Sequence, residues 1–376
     1  MKGRPRITYV IPSMRVGGTE LQLLHLMRGL ADDFELSLIC TGSEGALIGD
    51  ARRVGAYVRV LHGHSGWDFR MRGKIYWILQ AHPAQILHSF MFGFDLWAHL
   101  AARKAGVPVI VSSRRELAIW QKPRHRYLQC RANRMADCIV ANSQAVAAYV
   151  AAQEGEPLAR IRVIPNGVRA DDYHGTIDRD QLRARYRFPR TGHIVGMVAN
   201  FSPVKDHRLF LDMADLLLKR REDIHFLLVG TGRLLDEIHE IVSKRKQLSF
   251  FTRVSTVSEM ADLLRIMDVS VLCSKMEGFP NAAIEAMASG TPVVAAAVGG
   301  VPELVEDRET GYLIGTRRAE DFADAVEQLL DDEGARQAMG ARAEAWVRAK
   351  LPVERMVERY RKLYHELLET KTAGVG

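Results

Sequence analysis

The chain has 376 residues, 47% of them hydrophobic and 26% charged, with a net charge of +7. That length and balance suit two soluble domains of ordinary size and exclude a disordered or low-complexity protein. No apolar run reaches the roughly 18–20 residues that a spanning helix needs.

The charge is uneven. Residues 1–190 hold 28 Lys+Arg against 16 Asp+Glu, a net +12, and the remainder carries −5. A basic front half predicts an anionic partner such as membrane headgroups or a lipid phosphate. No nucleic-acid motif appears, so nucleic acid is not expected. Cys40, Cys130, Cys138 and Cys273 form no Cys-x-x-Cys pair. They read as free thiols in a reducing cytoplasm rather than as a zinc site.

In chain order, MKGRPRITYVIPS reads as a basic start running into a first strand, Ile7–Ile11, because its apolar run is too short for a signal peptide. Further front-half strands are expected at Leu36–Cys40, Tyr57–Leu61, Gln85–His88, Val109–Val111, Cys138–Ala141 and Ile161–Ile164. Helices are expected between them, as at Leu21–Leu30, Leu96–Ala105 and Gln144–Ala152. Gly17 and Gly18 stand at the first strand-to-helix turn, where glycine permits close backbone approach to a ligand. His88 ends a strand, and such ends face the ligand crevice of open α/β sheets. Ser112, Ser113, Arg114, Arg115 and Glu116 end the next one. With Lys122, Arg124, Arg126, Arg131 and Arg134 they would make a basic acceptor-side or membrane-facing patch.

Arg169–Arg190 is polar and weakly patterned, the expected linker. A second alternating set follows: strands at His193–Val198, His225–Val229, Val269–Cys273 and Pro292–Ala296, with helices near Leu209–Leu218, Leu234–Lys244, Ala261–Met267 and Phe322–Leu330. Strand–helix alternation in both halves predicts two doubly wound parallel-sheet domains with a cleft between them. A last helix is expected over 353–368.

The most informative stretch is Ser274 to Glu303, SKMEGFPNAAIEAMASGTPVVAAAVGGVPE. A buried strand leads into Glu277, Gly278 and Phe279. A helix should then begin near Pro280 or Asn281, both suited to a helix start. Its free amides make an anion site. Glu277 lies in the loop and Glu285 about one turn inside the helix. A nucleotide sugar suits this arrangement, with a diphosphate for the amides and hydroxyls on either side for two carboxylates.

This stretch resembles the C-terminal donor motif of glycosyltransferase family 4, retaining and metal-independent enzymes of the two-domain fold called GT-B. The resemblance implies domains at 1–175, joined by the C-terminal helix 353–376, and at 176–352. It implies that Glu277 faces the donor sugar and Glu285 the nucleotide ribose, with Gly278, Phe279, Pro280 and Asn281 lining the donor. By the same resemblance Gly17 and Gly18 touch the ligand, Gly230 borders the nucleotide, and His88 lies near acceptor or donor sugar. The family usually shows an arginine and, five residues later, a lysine on the diphosphate. Lys205 fits the lysine, but Asn200 stands at the arginine position. Leaving-group charge would then fall on Lys205, the helix N-terminus and an arginine such as Arg208 or Arg253. In the family the segment ahead of Ser258–Asp262 touches the nucleotide base.

The implied activity is transfer of a sugar from a nucleotide-diphosphate sugar, UDP-linked, to an acceptor hydroxyl with retention. Lys205, Glu277 and His88 would be catalytic, with no cofactor and no metal. The implied setting is cell-surface polysaccharide or glycolipid synthesis, in the cytoplasm or at the inner membrane face. Two alternatives remain open: a sugar-nucleotide epimerase of the same fold, and a degenerate nucleotide-sugar-binding protein, suggested by Asn200. An NAD-dependent dehydrogenase is a distant third, since Gly230-Thr231-Gly232 lacks the third glycine.

Overall fold

The computed structural model describes all residues except 1–2, 64–67, 91–92, 118–121, 176, 256–259 and 374–376. The chain forms two compact units, one of residues 1–167 and 353–376, the other of residues 168–352.

The first unit runs β1 (Arg6–Ile11), α1 (Gly18–Leu30), β2 (Glu35–Cys40), α2 (Ile48–Arg53), β3 (Tyr57–Val60), α3 (Arg70–Ala81), β4 (Ile86–Phe90), α4 (Asp95–Ala105), β5 (Val109–Arg114), α5 (Pro123–Asn133), β6 (Cys138–Ala141), α6 (Gln144–Glu154) and β7 (Ile161–Val163). The described strands form one parallel sheet in the order β3-β2-β1-β4-β5-β6-β7. Strands β4, β5 and β6 are buried along their whole length, because helices cover both faces. Helix α6 has both of its end signals: Ser143 Oγ accepts from the Val146 amide at 3.1 Å, and Gly155 takes a φ of 69° at the C-cap.

The second unit runs α7 (Arg179–Arg185), β8 (His193–Val198), α8 (His207–Arg220), β9 (Ile224–Val229), α9 (Leu235–Lys244), β10 (Phe251–Val254), α10 (Met260–Ile266), β11 (Val269–Leu272), α11 (Asn281–Ala288), β12 (Val293–Ala296), β13 (Gly311–Ile314), α12 (Ala319–Asp331) and α13 (Glu333–Lys350). Its described strands form a parallel sheet in the order β10-β9-β8-β11-β12-β13. Both units are thus doubly wound, with strand order reversing at β1/β4 and at β8/β11. Open α/β sheets bind ligands at such reversals, beyond the carboxyl ends of the strands.

The last helix, α14 (Val353–Ala373), belongs to the first unit. Val353, Met356, Val357, Tyr360, Leu363 and Tyr364 recur at helical spacing and are buried in that unit's core with Leu23, Met27 and Phe34. Each such side chain contributes about 1.5–3 kcal/mol by burial.

The expected linker is not one. Residues 170–173 form a 3-10 turn and 179–185 form α7, while Leu182 and Phe188 are buried in the second unit's core. The weak pattern misleads because a seven-residue helix needs few apolar positions to anchor it. Helices α3, α5 and α13 and strand β13 also go beyond the sequence reading. Helix α5 is strongly polar, and α13 is buried only at Arg336, Met339, Gly340, Ala343 and Val347.

Candidate functional site

In the second unit, the loops following β8 and β11 meet at the reversal of strand order. Strand β11 ends at Leu272, and Cys273 and Ser274 continue fully buried into the loop that carries Glu277. Helix α11 starts at Asn281 with Pro280 as its N-cap, so proline occupies the capping position without a side-chain bond to the first turn. Phe279 is buried in the core behind the loop, and Gly278 and Pro280 are buried with it.

Glu277 is only 8% exposed, so its carboxylate needs partners. Lys205 Nζ donates to its Oε1 at 2.5 Å, and Ser274 Oγ donates to the same oxygen at 2.6 Å. Lys205 comes from the loop after β8 and remains partly exposed. A backbone bond from the Lys275 amide to the Val204 carbonyl, 2.7 Å, ties the two loops directly. The Glu277 carbonyl in turn accepts from the Gly300 amide at 3.1 Å, which fixes the loop after β12 against it.

Glu285 lies on α11, half-buried. The Tyr173 hydroxyl, from the 3-10 turn at 170–173, donates to its carboxylate. Burial raises the Glu285 carboxyl to about 7, and the Tyr173 bond pulls the other way. Ion pairing holds the turn in place, with Arg348 Nη1 donating to Asp171 Oδ1 at 2.8 Å.

Asn200 is exposed just beyond β8. Gly230 adopts a φ of 145°, and a Cβ there would stand 2.1 Å from the Ala199 carbonyl oxygen. The glycine is therefore explained by close packing of the loops after β9 and β8, which lays Gly230 beside Asn200. Arg208 is an exposed residue paired to Glu237, and Arg253 is exposed on β10. The arginine that does reach these loops is Arg317, from the turn between β13 and α12, which the sequence reading missed. It sits in no glycine-rich or acidic motif that would single it out. Residues 256–259 lie outside the described residues, and with them part of the expected base-contacting segment.

In the first unit, Gly17 is the extended N-cap of α1 and Gly18 its first residue. His88 is not at an open strand end. It is fully buried, with Nδ1 2.6 Å from Tyr364 Oη and Nε2 2.8 Å from Ser113 Oγ. Both ring nitrogens are engaged, and burial holds the ring's pKa well below its usual value. The expected basic patch also needs correction. Arg114 is buried, donating to Asp95 at 3.0 Å and to Glu154 at 3.3 Å, while Arg115 is half-buried and donates to Asn166. Arg114 thus neutralises the unit's own carboxylates, and Arg115 donates to one of its amide oxygens. Lys122, Arg124, Arg131 and Arg134 on and around α5 are exposed.

Among the described residues, no group of three or more His, Cys, Asp or Glu side chains is placed to hold a metal ion, and no helix is long and apolar enough to cross a membrane.

The architecture and site define a doubly wound α/β protein with a polar cluster at its switch point. The family model described as Glycosyltransferase Family 4 matches residues 16–172, and that described as Glycosyl transferases group 1 matches residues 178–346. The chain belongs to glycosyltransferase family 4, and its fold is GT-B. It is 28% identical over 318 residues to a D-inositol 3-phosphate glycosyltransferase of Mycobacteroides abscessus, covering 81% of this chain and 66% of that protein. It is 32% identical over 202 residues to an N-acetyl-alpha-D-glucosaminyl L-malate synthase of Bacillus anthracis, covering 52% of this chain and 51% of that one. The matches thus span from about half to just under two thirds of these curated relatives. Among solved structures, Anabaena Alr3699/HepE in complex with UDP and glucose has a TM-score of 0.86 at 20% identity, covering 96% of this chain and 100% of that one. WaaG, a glycosyltransferase involved in lipopolysaccharide biosynthesis, has a TM-score of 0.77 at 14% identity, covering 95% and 99%.

Proposed function

We propose that this protein is a retaining glycosyltransferase that moves a sugar from a UDP-sugar to an acceptor hydroxyl without a divalent metal. The observation that carries the reading is the cluster of Lys205, Glu277 and Ser274 beside the N-terminus of α11, with Glu285 one turn inside that helix. Lys205 and the first amides of α11 supply positive charge for a diphosphate. Both bonds to Glu277 fall on Oε1, so Oε2 serves to orient a donor-sugar hydroxyl. Glu285 accepts from the ribose hydroxyls. Choice of a UDP-sugar draws on the HepE complexes with UDP, UDP and glucose, and UDP-glucose.

In the reaction, the bond from the anomeric carbon to the donor phosphate oxygen breaks. A bond from the acceptor oxygen forms on the same face. The acceptor proton passes to the departing phosphate, whose charge Lys205 and the amides stabilise. Retention follows from this front-face geometry.

The acceptor is a lipid-linked or polysaccharide chain at an anionic membrane surface, reached from the cytoplasm. Supporting this are Phe69 and Trp77, 72% and 70% exposed and two helical turns apart at α3, beside exposed Arg70, Arg72 and Lys74. Interfacial helices combine aromatic and basic residues in this way.

The test is a thermal-shift screen against UDP-, GDP-, ADP- and TDP-sugars with EDTA present. Binding stabilises the folded state by mass action. A shift with a UDP-sugar that disappears in Glu285→Ala is the expected result, followed by turnover only when an acceptor is supplied. Turnover of the donor to an isomer without acceptor would replace this reading with the epimerase. Binding without turnover on any acceptor would point to a degenerate protein, with Asn200 the first residue to restore to arginine.

A further inference from the structure

We infer that Arg317 is a positioning residue for the Lys205–Glu277 pair: its guanidinium clamps the loop that carries one to the loop that carries the other. The inference rests on the donor-site reading above for its catalytic consequence, but the clamp itself is defined by contacts alone.

Three loops are involved, following β8, β11 and β13. In the sheet β8 and β11 are neighbours, while β13 is two strands from β11, a span of roughly 9–10 Å. Arg317 bridges that span. Nη2 donates to the Cys273 carbonyl and Nη1 to the Ser274 carbonyl, each at 3.1 Å. Nη2 also donates to the Asp206 carboxylate. Cys273 and Ser274 open the loop to Glu277, and Ser274 itself holds the Glu277 carboxylate. Asp206 is the residue after Lys205. One planar cation therefore joins the backbone behind one member of the pair to the side chain beside the other.

Asp206 shows that this connection is built at a cost to local structure. It occupies the N-cap of α8, where an aspartate ordinarily accepts from the first-turn amides. Here its side chain makes no such bond, and its backbone stands at φ 51°, the left-handed region. The carboxylate is committed to Arg317, with Lys275 Nζ 3.6 Å away as a second cation. Backbone strain of this sort persists where surrounding contacts demand it. Lysine could not replace the guanidinium, because a single ammonium lacks the fork that reaches two carbonyls and a carboxylate together.

A surface ion pair that only adds stability is the competing account, and Arg317 is 39% exposed, so its removal opens no core cavity. Two readouts separate the accounts. The first needs no ligand: the rate at which trinitrobenzenesulfonate arylates Lys205 in the full chain, the amine displacing sulfite from the ring, followed by peptide mass spectrometry. Lys205 held against Glu277 reacts slowly. Arg317→Ala and, as a second variant from the other side, Asp206→Asn are each expected to raise its rate at least threefold at temperatures where circular dichroism shows the fold intact. An unchanged rate in both folded variants overturns the proposal. The second readout uses the nucleotide sugar that the screen identifies. Arg317→Ala is expected to lower kcat about tenfold with the donor KM within twofold, and Arg317→Lys to recover little of it. In a Lys205→Ala background the same substitution should cost nothing further. Full additivity overturns the clamp. If no nucleotide sugar binds, the functional reading fails while the Lys205 trinitrophenylation rate still decides the clamp.

Discussion

The Tyr173 hydroxyl donates to the Glu285 carboxylate, joining the turn that follows the first unit to the helix that begins at the second unit's switch point. Burial raises that carboxyl from 4.5 to about 7. The folded protein therefore holds the proton more tightly than the unfolded chain does. The stabilising contribution of Glu285 is complete below about pH 4.5 and is lost as pH rises through about 7. Ligand binding should run the other way if Glu285 holds the ribose as proposed, since only the ionised form would accept from both hydroxyls. We expect affinity for UDP, measured by calorimetry at pH 6, 7 and 8, to rise with pH. In Glu285→Gln that dependence should flatten. Tyr173→Phe removes the bond that favours the ionised form, so the midpoint should move upward. Wild-type affinity that is flat over this window would remove Glu285 from the binding site.

Lys205 and Glu277 make the second prediction. Glu277 keeps its Ser274 bond when lysine is removed, so Lys205→Ala should cost only about 1–2 kcal/mol in denaturant unfolding. Turnover should fall far more, about 100-fold or greater, because the charge proposed to stabilise the leaving phosphate is gone. Glu277→Gln keeps the shape and loses the charge; it should bind UDP normally and turn over slowly. Equal loss of UDP binding in both variants would mean that the pair serves the nucleotide alone.

How much of this could be read from the sequence differs between the two loops. The strand–loop–helix around Glu277 was legible because apolar run, proline, asparagine and helical spacing all point to one geometry. The doubly wound sheets were legible for the same reason: fully buried parallel strands read as short apolar runs. Helix α7 and the 3-10 turn at 170–173 were not, since their anchoring depends on tertiary partners such as Arg348 and the buried Phe188. Arg317 shows the limit most clearly. Nothing local distinguishes it from Arg318, and only the sheet order brings it to Ser274 and Asp206. Arg114 failed in the opposite sense, because an arginine at a strand end looks exposed until Asp95 and Glu154 are known to surround it.

That burial sets the third prediction. Arg114 lies between two buried carboxylates, with Asn133 Oδ1 accepting from Nη2 at 2.5 Å. Arg114→Met leaves Asp95 and Glu154 facing each other without a counter-charge. Loss of one partner from such a network costs about 3–5 kcal/mol. Urea unfolding should show it, and adding Asp95→Asn should restore part of the loss. A variant as stable as wild type would mean that water reaches the cluster.

For His88 the placement predicts a stability effect that outweighs any catalytic one. Its ring links β4 to Ser113 of β5 and to Tyr364 of α14. Removing the ring opens a cavity and takes one hydrogen-bond partner from each of two buried hydroxyls. His88→Ala should lose about 3–5 kcal/mol, while kcat measured well below the melting temperature should stay within about threefold, as expected for a residue that contributes no transition-state charge. A large fall in kcat with unchanged stability would instead put the imidazole on the substrate.

The exposed aromatics give the last prediction. Phe69 and Trp77 lie on one side of α3, and Met71, Ile75 and Leu79 pack its other side into the core. Truncating the exposed pair should therefore leave stability within about 0.5 kcal/mol. Sedimentation with vesicles of phosphatidylglycerol and phosphatidylcholine is the measurement. Wild-type protein should bind the anionic vesicles and release as salt rises, since headgroup attraction is screened. Phe69→Ala with Trp77→Ala should weaken binding at every salt concentration, because buried ring area is lost. Substituting Arg72 and Lys74 by glutamine should weaken it mainly at low salt. If neither pair of changes alters sedimentation, α3 does not touch the membrane, and the exposed basic residues of α5 beside Tyr127 become the surface to test.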